Sequence, residues 1–173
     1  MRGFSLDSYT RRHSVSRTKV FGASNEEIWE LISMPGNLNS CHPFCRSNEA
    51  ITWEEGSHSD ELVYLNGLRY IRNFHVWSPG IGYDLMIGEE GGPQSLVKWR
   101  LKSLGMDRCS LNITVFPYLL ASWQKPLSYL PFRVLIKPKL SRYLDSVLSG
   151  FNHFVESGED VPRNHFGAHP WFS

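Results

Sequence analysis

Cysteine is scarce in this chain, with three in 173 residues. An odd number without dense spacing excludes a disulfide scaffold and suits a reducing compartment. Long apolar runs are missing too. No stretch reaches the roughly 18 apolar residues that a spanning helix needs. The opening "MRGFSLDSYTRRHS" has no apolar core of a secretory signal. A cytoplasmic protein is the expectation. Charge of one sign is also lacking: 18 Lys and Arg stand against 17 Asp and Glu, a net charge of +1. Without a long basic run there is little to neutralise phosphates, so no nucleic-acid partner is expected. The sequence shows no nucleophile elbow, P-loop, dinucleotide fingerprint or paired-carboxylate motif, and no cofactor is expected. Repeats and low-complexity tracts are absent as well.

What is present is apolar and aromatic. Hydrophobic residues make up 41% and aromatic residues 13%, with six Trp. That supports one domain over residues 1–173 with a sizeable core, and large rings that fill it or line a cavity. The first dozen residues are polar and basic and read as a loose arm. "HSVSRTKVFG" reads as a first strand. "SNEEIWELISMPG" reads as a helix with both ends marked. Ser24 and Glu27 have capping-box spacing, Ile28, Leu31 and Ile32 share a face, and Pro35-Gly36 stops it. "NLNSCHPF" follows as a turn or short second helix.

From Arg46 the period becomes two. "NEAITWEEG", "SDELVYLNG", "LRYIRNFHVWSPG", "IGYDLMIGEEGG", "QSLVKWRLKSLG" and "RCSLNITVFPY" read as successive strands, with Asn66-Gly67 a tight-turn signal. Val97, Trp99 and Leu101 alternate with Lys98, Arg100 and Lys102, as in a strand with one wet face. In the last strand Leu111, Ile113 and Val115 point inward. Residues 118–137 are apolar, aromatic and broken by Pro126 and Pro131, without a clean period. "PKLSRYLDSVLSGFNHFVESG" then reads as a long helix from Pro138 to a Gly158 cap. Its stripe is Leu140, Leu144, Val147, Phe151 and Phe154 or Val155, widened by Tyr143 and Leu148. Gly150 interrupts it at about 1 kcal/mol relative to Ala. Residues 158–173 form an irregular arm whose Phe166, Trp171 and Phe172 favour docking onto the body.

The order is strand, short helices, antiparallel strands, long amphipathic helix. A sheet with one wet face must bury the other, and the C-terminal helix is its large apolar partner. The early strand followed by "SNEEIWELISMPGNL", the meander and the final helix resemble the START-like, Bet v 1-like superfamily. This is the group also called SRPBCC or polyketide cyclase/dehydrase-like. The likeness spans roughly residues 12–157, and "HPFCRSN", "GYDLMIG" and "NHFGAHPWFS" resemble a smaller branch of it. The resemblance implies an α+β helix-grip fold. A curved antiparallel sheet wraps a long C-terminal helix, and short helices lie between the first and second strands. It also implies a hydrophobic tunnel, in members that bind lipids, sterols, hormones or polyketides and in some that catalyse cyclisation or dehydration. The long 118–137 connection departs from the compact pattern, in which the last strand turns quickly into the helix.

"CHPFC" has the residue types of a metal site, and His165 and His169 are possible distant ligands. Pro43 disfavours a helical His42, so Cys41 and Cys45 do not share a helical face. Packing cysteines are preferred, no metal is expected, and His42 and Phe44 are read as bracing that corner. On "LRYIRNFHVW", Tyr70, Arg72, Phe74 and Val76 share one side, and Ile71, Asn73, His75 and Trp77 the other. Arg72 is read as facing water in preference to a cavity, where it would need Asp84, Glu61 or a ligand carboxylate as partner. His75 has a suitable pKa for a general base but is read as structural. Trp53, Tyr64, Tyr70, Arg72, Phe74, Trp99, Tyr143 and Phe151 are the candidate ligand-binding residues.

The expected function is binding or carriage of a hydrophobic small molecule between sheet and long helix. One alternative is a cyclase- or dehydratase-like enzyme using Tyr70, Arg72 or His75. Another is a membrane or protein interaction module formed by 118–137, where Trp123, Leu127, Tyr129, Leu130, Phe132, Val134, Leu135 and Ile136 sit beside Lys125, Arg133, Lys137 and Lys139. A lid over the sheet edge or cavity mouth is preferred there to a membrane contact. Nothing in the sequence sets an oligomeric state.

Overall fold

The computed structural model describes residues 6–173, apart from the side chain of Lys125. The loose-arm reading of the first dozen residues thus lies outside the described residues for 1–5, as does the role expected of the Lys125 cation. Seven strands follow the period-two segments: β1 (Val15–Phe21), β2 (Cys45–Glu54), β3 (Ser57–Tyr64), β4 (Arg69–Ser78), β5 (Gly82–Gly88), β6 (Gln94–Gly105) and β7 (Arg108–Phe116). They form one curved antiparallel sheet in the order β1-β7-β6-β5-β4-β3-β2. Strands β2 to β7 are a meander, and β1 adds to the far edge beside β7. The chain must therefore cross the sheet between β1 and β2. Two short helices make that crossing. They are α2 (Asn25–Ser33) and α3 (Leu38–Cys41), numbered after a single turn, α1 (Asp7–Thr10), that packs against β6.

Local chemistry sets the ends of α2. Ser24 Oγ accepts from Glu27 N–H (3.2 Å), and the Glu27 carboxylate accepts from Ser24 N–H (2.7 Å). This capping box satisfies two otherwise orphan donors. Ile28 and Ile32 are buried beneath it. The alternation in β6 and β7 holds as expected, with Val97, Trp99, Leu101, Leu111, Ile113 and Val115 buried on the inner face.

The inner face is closed by the C-terminal helix, and here the structure corrects the sequence. Helix begins at Lys125 rather than Pro138. α4 (Lys125–Pro131) leads through a π-helical segment (Phe132–Ile136) into α5 (Lys137–Ser157). Pro131 and Pro138 cannot donate backbone hydrogen bonds, which normally kinks or ends a helix. The wider π turn lies between them and carries the chain through. α5 ends as expected, with Gly158 in the left-handed region (φ 70°). Its buried stripe is Leu140, Leu144, Val147, Leu148 and Phe151. Gly150 has a stronger reason to be there than tolerance. A Cβ at that position would lie 2.2 Å from the Cys41 carbonyl oxygen and 2.9 Å from Pro43 Cδ. The "CHPFC" corner thus packs directly on the backbone of α5.

Candidate functional site

Between the inner face of the sheet and the first half of α5 lies a cavity of about 480 Å³. Its walls are largely aliphatic: Leu62, Leu85, Ile87, Ile113, Leu140 and Leu144 are examples. Strand alternation puts these side chains there, since inward residues recur at every second position. Polar groups enter at separate points, from His42, Tyr64, Tyr70, Arg72, Ser95, Tyr118, Tyr143 and the exposed Glu89.

Of the eight candidate residues, Tyr64, Tyr70, Arg72, Trp99 and Tyr143 line this cavity. Trp53 and Phe74 lie instead in an aromatic cluster. Trp53 is edge-on to Phe74 at 5.4 Å and to Trp77 at 5.8 Å, and Trp77 stacks on His58 at 3.9 Å. Phe151 is fully buried, edge-on to Trp99 at 5.4 Å. Phe151 thus backs the wall through Trp99 and Phe74 through Arg72, whose guanidinium lies 5.4 Å over its ring, while Trp53 meets rings outside the lining. His75 is exposed and outside the cavity lining, so it has no position from which to act as a base there.

Arg72 overturns the expectation that it faces water. It is 4% exposed, and its partner Asp60 is 0% exposed. Asp60 and Arg72 are direct cross-strand neighbours on β3 and β4. Arg72 Nε donates to Asp60 Oδ1 at 2.7 Å, and Nη2 donates to Oδ2, a bidentate pair. Burial by itself would lower the Arg72 pKa; the Asp60 charge and its hydrogen bonds outweigh that and raise it. The partners considered from sequence are engaged elsewhere. Glu61 pairs with Arg69, and Asp84 with Lys98 and Arg100.

Two His-Pro-aromatic corners build the opposite wall. In "HPF" the Phe44 N–H donates to His42 Nδ1 (3.2 Å), and in "HPW" the Trp171 N–H donates to His169 Nδ1 (3.3 Å). Proline fixes the bend and keeps the histidine before it extended, with φ −104° and ψ 114° at His42. Each ring then turns Nε2 toward α5. His42 meets Tyr143 Oη at 2.9 Å, and His169 meets the Lys139 carbonyl at 3.0 Å. Lys139 and Tyr143 are four residues apart, one turn on the same helix face. Both corners were visible as sequence, but their equivalence lies in what they do to one helix.

The arm is docked through Trp171 and Phe172, whereas Phe166, expected to dock with them, is exposed. Phe172 stacks on Tyr64 at 4.3 Å and packs on Tyr143 at 4.6 Å. Asn66 donates to the Trp171 carbonyl (2.8 Å), Arg142 to the Ala168 carbonyl (3.0 Å), and Lys139 sits 5.3 Å over the Trp171 ring. Pro170, Trp171 and Phe172 line the cavity together with His42. His165 is elsewhere, with its ring 5.0 Å from that of His153.

Burial is the largest cause of the shifts at the histidine, cysteines and tyrosines around the cavity. His42 is pushed down to about 3, first by desolvation and then by the Arg72 charge. Cys41 and Cys45 are pushed up to about 12, mainly by burial, so both are thiols at neutral pH. Tyr143 is raised to about 12, and Tyr64 and Tyr70 are raised as well, with desolvation the largest cause in each. Among the described residues no three His, Cys, Asp or Glu side chains converge as a metal-binding group.

The 118–137 connection is only partly a lid. Pro117, Tyr118 and Leu119 line the cavity, and Phe132 is buried, stacked 4.8 Å from His13. Beyond these, Trp123, Leu127, Tyr129, Leu130, Val134 and Leu135 are exposed, Leu127 by 67% and Leu130 by 66%. No described helix is long and apolar enough to cross a membrane.

No protein-family model and no curated protein matches the chain. Solved structures do. A START superfamily protein from Mycobacterium smegmatis superposes with a TM-score of 0.62 at 16% identity, over 83% of this chain and 97% of that one. The di-domain ARO/CYC BexL from the BE-7585A biosynthetic pathway gives 0.62 at 12% identity, over 83% of this chain and 46% of that one. A protein of the dynemicin biosynthetic locus gives 0.61 at 14% identity, over 85% and 48%. This chain thus spans about half the length of the latter two. Likeness at these identities is likeness of fold: the chain has the helix-grip fold, as expected, and shares it with these structures.

Proposed function

We propose that this protein binds and carries a hydrophobic small molecule, of lipid or polyketide type, between its sheet and α5. The cavity carries this reading. At about 480 Å³ it falls within the roughly 300–1,000 Å³ of small-molecule sites, and its apolar walls with few polar groups have their usual character. The START and ARO/CYC structures that share the fold support the ligand class. Binding is favoured over catalysis because general acid–base work is best served by groups titrating near the operating pH. In this cavity His42 is held far below that range, and Tyr64, Tyr70 and Tyr143 above it. The test is native mass spectrometry of freshly purified protein, followed by solvent extraction. A co-purifying apolar molecule, released by a Leu144→Trp substitution that fills the cavity, is the expected result. A wild-type protein that arrives empty and takes up neither a fluorescent fatty acid nor a naphthyl ketone dye refutes the reading.

One observation favours a second role, contact with an anionic bilayer. Leu127 and Leu130 are exposed on α4, with exposed Trp123 just before the helix and exposed Val134 in the π-helical segment after it. Residues 117–144 contain five Lys or Arg and no Asp or Glu. Exposed rings and aliphatics beside unopposed cations suit a negatively charged lipid surface. The ridge adjoins 117–119 in the cavity wall, so docking there would bring the cavity to the source of its cargo. Co-sedimentation with phosphatidylcholine vesicles containing phosphatidylserine is expected at low salt, and to weaken in Leu127→Ser, Leu130→Ser. Absence of pelleting at low salt removes this reading.

A further inference from the structure

A single chain of hydrogen bonds runs along the cavity wall, and its direction can be read. Phe44 N–H points at His42 Nδ1 (3.2 Å), His42 Nε2 lies 2.9 Å from Tyr143 Oη, and Tyr143 Oη lies 3.1 Å from Tyr64 Oη. An amide N–H only donates, so Nδ1 is the nitrogen without a proton. A neutral imidazole has one proton, which therefore sits on Nε2 and is donated to Tyr143 Oη. The His42 ring is neutral, since burial and the Arg72 charge hold its pKa near 3. Tyr143 accepts that proton and donates its own to Tyr64 Oη. Tyr64 Oη has no further side-chain partner among the described residues. Its proton is left to turn away from Tyr143, at the wall of the cavity that Tyr64 lines. The Tyr64 ring is held in place by Phe172 stacked at 4.3 Å and Tyr70 edge-on at 5.5 Å.

Among the described residues that line the cavity, Arg72 is the one buried cation, and what it withholds is net charge. Arg72 gives Nε and Nη2 to Asp60 in a bidentate pair that cancels its charge. The remaining charged side chain in the lining is the carboxylate of Glu89. An anionic ligand would gain no net positive charge here and would meet a negative one. The wall supplies a donor and not a countercharge.

We propose that the ligand is uncharged and is held through a carbonyl-type oxygen that accepts from Tyr64 Oη: a ketone, ester, lactone or amide on an apolar body, not a free carboxylate. This rests on the cavity being a ligand site. The test uses 6-propionyl-2-dimethylaminonaphthalene, an uncharged ketone dye whose emission moves to the red when its carbonyl accepts a hydrogen bond. Wild-type protein is expected to bind it. Tyr64→Phe is expected to weaken binding about three- to tenfold, the value of one hydrogen bond, and to shift the bound emission to the blue. In a parallel arm needing no variant, 2-dodecanone is expected to displace the dye from wild-type protein at lower concentration than dodecanoate at neutral pH. Unchanged affinity and emission in a folded Tyr64→Phe protein, or dodecanoate displacing as well as the ketone, overturns this inference and leaves the ligand-site reading standing. A wild-type protein that binds neither dye nor either chain overturns both.

Discussion

Replacing Asp60 by Ala should be among the most damaging single changes in this protein. Arg72 is 4% exposed and loses both hydrogen bonds to its carboxylate partner. Glu61 and Asp84 are already paired with Arg69, Lys98 and Arg100, so neither of these two is free to take over. Removing one member of a buried pair strands the other charge and costs about 3–5 kcal/mol. An exposed pair would cost about 0–1 kcal/mol. Arg72 also borders the cavity, where water can reach it, so the lower part of the buried range is the expectation: about 3 kcal/mol. For a chain of this size that lowers Tm by about 6–12 °C. Urea unfolding followed by circular dichroism, with thermal scans alongside, measures both. The double substitution Asp60→Leu, Arg72→Met removes both charges and should recover most of the loss, because desolvation then has nothing to oppose. A loss below about 1 kcal/mol in Asp60→Ala, or a double variant as unstable as the single one, refutes the assignment of a buried pair.

Three further outcomes follow from the same structure. Gly150→Ala improves helix propensity by about 1 kcal/mol, yet its Cβ would sit 2.2 Å from the Cys41 carbonyl, so a net loss of about 1–2 kcal/mol from overpacking is expected; a stabilised variant in urea unfolding contradicts the close approach. His42 has a folded pKa of about 3, below its ordinary value, so the unfolded state binds the extra proton as pH falls. Its contribution is therefore constant above about pH 6.5 and costs about 1.4 kcal/mol per pH unit below it. His58, His75 and His169 shift in the same direction, chiefly through burial. Between pH 6.5 and 5, wild type should lose about 2 kcal/mol more than His42→Gln; parallel profiles for the two proteins sink the claim. Phe172→Ala should cost about 3 kcal/mol, as for a large buried ring, and deletion of residues 163–173 at least as much; unchanged stability after the deletion would show that the arm does not hold the wall.

Much of the architecture was legible because it is written in local periodicity. Each strand of the meander, the capping box at Ser24 and the Gly158 cap depend on neighbours within a few residues, and each is found where the pattern places it. Helix across 125–136 was not legible, because Pro126 and Pro131 read as breaks, whereas Pro126 falls in the first turn, where no donor is needed, and a π turn follows Pro131. The water-facing reading of Arg72 rested on the usual exposure of charged side chains, and its true partner was missed for a reason of register. Asn66-Gly67 suggests a tight two-residue turn, and such a turn would set Glu61 opposite Arg72. The observed loop is 65–67, with Gly67 at φ 87° and Tyr64 N–H bonded to the Leu68 carbonyl. That one extra residue brings Asp60 across from Arg72 instead.

"CHPFC" shows the same division within five residues. The sequence by itself determined that Pro43 bends the chain, and so that the two thiols do not share a helical face. It could not say what His42 faces. Only the tertiary structure, by laying Gly150 against Cys41 and bringing "HPW" from the far end of the chain onto the same helix, turned a suspected metal motif into one of two braces on α5. Bends and periods are fixed by a residue's own neighbours. Partners are fixed by register and close approach between segments far apart in the chain, and those belong to the fold as a whole.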